Sequence, residues 1–151
     1  MNKILIILAF LTAFSSCKTT KNTKSESDYV VFSLIKTACY GKCPVYKMEI
    51  YKSGKIMFEG KKNTAKIGNY RKEISINEIE NLIADFEKAK FFDFEDEYTA
   101  SITDLPTTYI SFSNGESIKK VRDYHGSPRE LKELENKLEN IANSDNWTKI
   151  E

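Results

Sequence analysis

The chain has 151 residues, with 23 Lys and Arg against 22 Asp and Glu, for a formal net charge of +1. A charge so nearly balanced lacks the basic footprint that nucleic acid requires, so no nucleic-acid partner is expected. Hydrophobic residues make up 40% of the chain, which supports one packed core, and the length excludes a second.

Met1, Asn2 and Lys3 form a short positive start, and Ile4 to Phe14 is an apolar run broken only by Thr12. The run holds about eleven residues where a membrane-spanning helix needs roughly twenty. Residues 1–16 therefore read as a signal peptide, removed on export. Phe14-Ser15-Ser16-Cys17 resembles a lipobox, the site at which lipoprotein signal peptidase cuts before an invariant cysteine; Phe14 stands where Leu is usual. The expected partner is a membrane, reached through acyl chains on Cys17, each buried CH₂ of which contributes roughly 0.8 kcal/mol. Residues 18–28 contain no apolar side chain, and with Cys17 they are predicted to form a flexible tether reaching about 35–40 Å at full extension. Lys18, Lys21 and Lys24 make it basic, and no Asp follows Cys17. By resemblance to lipoprotein sorting rules, this implies an outer-membrane lipoprotein facing the periplasm.

Residues 29–151 read as a single domain. Tyr29 to Lys36 is β-branched and aromatic, a predicted strand with Val30, Phe32 and Leu34 on one face. Val45 to Lys52 alternates and places Tyr46, Met48 and Ile50 together. Ser53-Gly54 then turns the chain into Lys55 to Gly60, with Ile56 and Phe58 facing one way. Ala65 to Ile74 is a weaker strand, interrupted by Gly68. Ser75-Ile-Asn-Glu78 is a capping box, with Ile76, Ile79, Leu82, Ile83 and Phe86 at helical spacing. Thr107 to Ser113 and Glu116 to Tyr124 form a hairpin around Asn114-Gly115, which suits the two positive φ values of a type I′ turn. Ser127-Pro128-Arg129-Glu130 is a second box with Pro in the first helical position, ahead of Leu131, Leu134, Leu138 and Ile141. Trp147, beyond that helix, is expected to dock on the domain edge. The order β-β-β-(β)-α-β-β-α predicts the α+β class: an antiparallel sheet of about five to six strands with two helices on one face.

Several short stretches together carry a resemblance. They are Cys39-Tyr-Gly-Lys-Cys-Pro-Val-Tyr46, Ser53-Gly54, Phe58-Glu-Gly60, Phe91-Phe92, Tyr98, Thr103-Asp-Leu-Pro106 and Val121-Arg-Asp-Tyr-His-Gly-Ser-Pro128. With them the chain resembles a bacterial family called domain of unknown function 6438 over roughly Tyr29 to Ile141. The resemblance implies a usual setting in envelope lipoproteins and supplies no catalytic residue.

With Cys17 acylated, Cys39 and Cys43 are the remaining thiols. An even pair in an oxidising compartment is most simply a disulfide, with Gly41 letting the span turn and Pro44 stiffening its exit. A thiol redox site and a metal site stay open as alternatives. A redox thiolate is usually activated at a helix N-terminus, whereas Pro44 leads into a strand pattern. A zinc or copper site needs more ligands than the one histidine, His125, can add. No metal and no cofactor is expected.

His125 could pair with Ser127 or Ser111 as nucleophile and Asp104 or Asp123 as orienter, but no Gly-x-Ser-x-Gly elbow is present. Asp123-Tyr-His-Gly126 reads as a polar connection, and no catalytic residue is assigned. The acidic residues Asp93, Glu95, Asp96, Glu97 and Asp104 lack the spacing of a calcium loop and read as solvated. Asp104, before Leu105-Pro106, suits a turn. Most of the eight Tyr and nine Phe fall on core positions, whereas Tyr40 sits in a cysteine loop too tight to bury it. Tyr40, Asp104 and His125 are the candidate binding residues. The reading is a noncatalytic interaction module for an envelope protein or another envelope component. The alternative is a periplasmic enzyme, a thiol redox protein using Cys39 and Cys43 or a hydrolase using His125.

Overall fold

The computed structural model describes residues 28–150; the signal peptide and Cys17 read from the sequence lie outside them. Strands β1 (Val30–Lys36), β2 (Val45–Tyr51), β3 (Lys55–Lys62) and β4 (Gly68–Glu73) form an antiparallel meander. Next come helix α1 (Ile76–Lys88), a 3-10 turn at Phe91–Asp93 and the two-residue strand β5 (Glu97–Tyr98). The hairpin β6 (Thr108–Ser113) and β7 (Ile118–Asp123), helix α2 (Arg129–Asn143) and strand β8 (Thr148–Ile150) complete the order.

All eight strands belong to one sheet, ordered β5-β7-β6-β1-β2-β3-β4-β8. The α+β class stands, but the expected five to six antiparallel strands are too few, and the sheet is mixed. Strands β5 and β8 have two and three residues, too short to show an alternation. Both β5 and β7 run towards the loops at 99–107 and 124–128, so they pair in parallel.

Both helices cover one face of the sheet. Phe86 of α1 packs on Phe32 and Phe112, with ring centroids 4.6 and 5.3 Å apart. Four residues further along β1 on that same face, Lys36 meets Glu139 of α2. Leu131, Leu134, Leu138 and Ala142 of α2 share one buried cluster with Ile79, Leu82 and Phe86 of α1. Truncating any one of its buried phenylalanines to Ala would cost about 3–5 kcal/mol.

Three local expectations are corrected. Val30 pairs with Tyr51 and Phe32 with Ile50, so Val31 is an extra residue in β1. This bulge breaks the alternation, and Val30 lines a shallow cleft on the open face with Ser33 and Ile35. At the β6–β7 turn Gly115 has positive φ but Asn114 does not. Asn114 Oδ1 instead accepts the N–H groups of Glu116 and Ser117 at 3.0 and 2.8 Å, an Asx turn in a four-residue loop. At α2 the N-cap is Pro128, which has no side-chain cap, and the second capping box does not form.

The meander turns need their glycines. A Cβ on Gly54, at φ +88, would meet the Ile74 carbonyl oxygen at 2.3 Å, and one on Gly60 would meet that of Lys66 at 1.6 Å. Trp147 docks as expected, its ring 5.4 Å from that of Phe58, and leads into β8 on the sheet edge.

Candidate functional site

One end of the sheet gathers most of the residues singled out in the sequence. The loops 37–44, 63–67, 99–107 and 124–128 all leave strands there. Thr37 and Thr107 tie the first strand loop to the third: Thr37 N–H donates to the Thr107 carbonyl at 3.0 Å, and Thr107 N–H to Thr37 Oγ1 at 2.8 Å. Tyr40 N–H donates to the Asp104 carbonyl at 3.4 Å, and Asn63 Nδ2 to the Cys43 carbonyl at 3.2 Å. Cys39 and Cys43 stand at disulfide distance, with Cα atoms 5.7 Å apart, inside the span that a bridge requires. Tyr40, at the tip of their loop, is 91% exposed.

Tyr124 fixes the neighbouring loop. Its hydroxyl donates to the Ile102 carbonyl at 2.6 Å and accepts the Leu105 N–H at 3.3 Å. Ile102 and Leu105 are 44% and 37% exposed, so an apolar surface stands beside Tyr40 on backbone that is bonded down. Asp104 adopts φ +70 between them, and Thr103 Oγ1 donates to its carboxylate at 3.1 Å. The backbone turns at Asp104, but its carboxylate bonds no downstream N–H: Pro106 has none, and those of Leu105 and Thr107 go to Tyr124 and Thr37, so it is the Asp104 backbone that touches the cysteine loop. In the sequence Tyr124 stood out only as part of the Val121–Pro128 stretch, with nothing to mark its hydroxyl as a clamp.

Beneath this surface a polar row crosses the sheet. The register aligns Tyr98, Asp123, Thr108, Lys36, Tyr46, Gly60 and Gly68. The row faces α2, which meets it with Lys132, Glu135 and Glu139. Asp123 accepts Ser127 Oγ–H at 2.8 Å and forms an ion pair with Lys132. Lys132 also reaches Glu135 at 3.1 Å. Burial raises the Tyr46 phenol well above its usual range, with Glu139 and Glu135 adding to the effect. Glu135 occupies a core position at Leu131 plus four, a charged residue inside an apolar stripe that the sequence could have flagged.

The hydrolase arrangement is not assembled. Ser127 bonds Asp123 directly, and His125 lies exposed with its backbone N–H on the Tyr98 carbonyl at 3.3 Å. Ser111 lines a cleft on the opposite, open face of the sheet. The acidic stretch is partly neutralised by β7, with Asp96 on Lys119 at 3.0 Å and Glu97 on Arg122. Among the described residues no group of three or more His, Cys, Asp or Glu gathers as a metal site. Clefts of about 220 and 270 Å³ open on the bare sheet face, and others of about 280 and 300 Å³ run along the helices. None of these four is lined by His125 or the cysteine loop.

The molecule is thus an α+β domain of one sheet and two helices, with a braced loop surface at one end of the sheet. Residues 30–142 match the family described as Domain of unknown function (DUF6438), and the chain belongs to that family. No curated protein matches the chain.

Proposed function

We propose that the protein is an outer-membrane lipoprotein anchored at Cys17, whose domain is a noncatalytic interaction module binding an envelope protein through the Tyr40 loop. The observation that carries this reading is the exposure of Tyr40, 91%, on backbone held by the Asp104 and Asn63 contacts. Single exposed apolar residues are ordinary, but Tyr40 stands with the exposed Ile102 and Leu105 on ordered backbone, and a grouping of that kind suits a partner surface. Tyr40 is a preorganised anchor: few rotamers are lost on binding, and the ring desolvates a large area. Ile102 and Leu105 extend the apolar part, and Lys42, exposed in the same loop as Tyr40, adds a charge.

A photo-crosslinking residue at position 40, in cells making the full chain, should give a discrete protein adduct. The same residue at the exposed helix position 87 should not. No adduct from position 40, or equal adducts from both, sinks the reading. In the same cells labelled palmitate should enter the parent and not Cys17→Ser; equal labelling would end the lipoprotein assignment. Disulfide exchange of the purified protein with a peptide would instead favour a thiol redox enzyme.

A further inference from the structure

Two carboxyl groups are buried side by side where α2 joins the end of β7. The Asp123 side chain is wholly buried, and Glu135 is 2% exposed. Their partners account for only half of their oxygens. Asp123 Oδ2 takes Ser127 Oγ–H and Lys132 Nζ, and Glu135 Oε2 takes the same Lys132 Nζ. Asp123 Oδ1 and Glu135 Oε1 are left buried without a donor, although the two carboxyls are hydrogen-bond neighbours. Two ionised carboxylates only accept, and cannot hydrogen-bond each other. A proton on one of them turns it into a donor whose bond the other can accept, which two ionised carboxylates cannot provide.

We propose that Asp123 and Glu135 share a single proton, and that its loss is a pH-sensitive release of the α2 start from the sheet. Among the described residues the two carboxyls share one cation. Lys132, half-exposed, is the one cation bonded to both carboxyls. Lys36 of β1 is engaged by Glu139, one turn further along α2. Tyr46 of β2 presents a buried hydroxyl that also has no partner. Burial pushes the Glu135 carboxyl up to about 7; Lys132 pulls it down, and the charge and hydrogen bond of Asp123 push it up.

The direction of the pH response follows. The folded chain holds a proton on Glu135 that the unfolded chain releases near its ordinary value of 4.5. Stability from this source is full below that value, falls as pH rises towards about 7, and is level beyond. The released joint includes residues 124–128, and so the Tyr124 hydroxyl that clamps Ile102 and Leu105. The switch does not depend on what binds beside Tyr40.

Thermal unfolding of the purified protein between about pH 5 and about pH 8.5 tests this. The parent midpoint should fall by several degrees up to about pH 7.5 and then level off. Glu135→Gln should remove that fall, and His125→Gln should keep it. An equal fall in Glu135→Gln overturns the proposal. Should that variant fail to fold, the infrared band of a protonated carboxyl decides: it should be present in the parent at about pH 6 and gone by about pH 8.5. Its absence at the lower pH overturns the shared proton whatever the midpoints do. Amide exchange across 124–132, corrected for its intrinsic pH dependence, should quicken over the same interval.

Discussion

The two helix starts of this domain use the same kind of side chain in opposite ways. At α1 the Ser75 Oγ accepts the Glu78 N–H at 3.2 Å while the Glu78 carboxylate accepts the Ser75 N–H at 2.8 Å, all at the surface. At α2 the Ser127 hydroxyl turns away from the helix and donates to the buried Asp123 carboxylate at 2.8 Å. Helix N–H groups left bare at the surface still find water, whereas a carboxylate sealed inside the fold does not. The hydroxyl therefore goes to the group that would lose most without it. A capping signature describes a local option, and a buried anion within reach can claim the same serine.

The largest effect should come from Ser127. Ser127→Ala removes a donor from a buried carboxylate and should cost about 2 kcal/mol, read from urea midpoints. A double-mutant cycle with Asp123→Ala should show a coupling of about 1 kcal/mol or more. Simple additivity would mean that Ser127 acts on the helix and that the contrast with α1 is false. Ser75→Ala should cost less, about 1 kcal/mol, through loss of an ordinary cap. A loss at Ser75 equal to that at Ser127 would erase the distinction between surface and buried acceptors.

The smallest effect concerns acid, and there the two starts should differ in sign. The Ser75 hydroxyl and N–H hold the Glu78 carboxyl below its usual range. Its contribution is present above about pH 4.5 and fades as pH falls through the lowered folded value, whereas that of Glu135 fades as pH rises. The gap in urea midpoint between the parent and Glu78→Gln should narrow in acid. A gap that widens would show that the box is not held by the ionised carboxylate.

The loop surface was only partly legible. Cys39, Tyr40, Cys43, Asp104 and His125 were marked from the sequence, each by local chemistry: a thiol pair, a stranded aromatic, a turn-forming Asp, a single histidine. That Tyr40 and Asp104 would touch was not, because residues 64 apart in the chain meet only when β1 and β6 pair. Tyr124 and Glu135, which fix this end of the sheet above and below, were missed for the same reason. A tyrosine after a strand and a glutamate in a helix acquire their roles from neighbours that the chain brings in from elsewhere.

What the sequence alone determined is whatever repeats within a few residues. The alternation of Tyr46, Met48 and Ile50 and of Ile56 and Phe58, the helical spacing of Ile79, Leu82 and Phe86, and the Ser75 box all hold in the structure. Each is set by the geometry of one element and the need to bury one face of it. The tertiary structure decided the rest: the parallel pairing of β5, the edge strand β8, the bulge at Val31, the partner of Ser127 and the burial of Glu135. Those outcomes depend on competition between distant groups for one partner or one buried place, and a competition of that kind has no period along the chain.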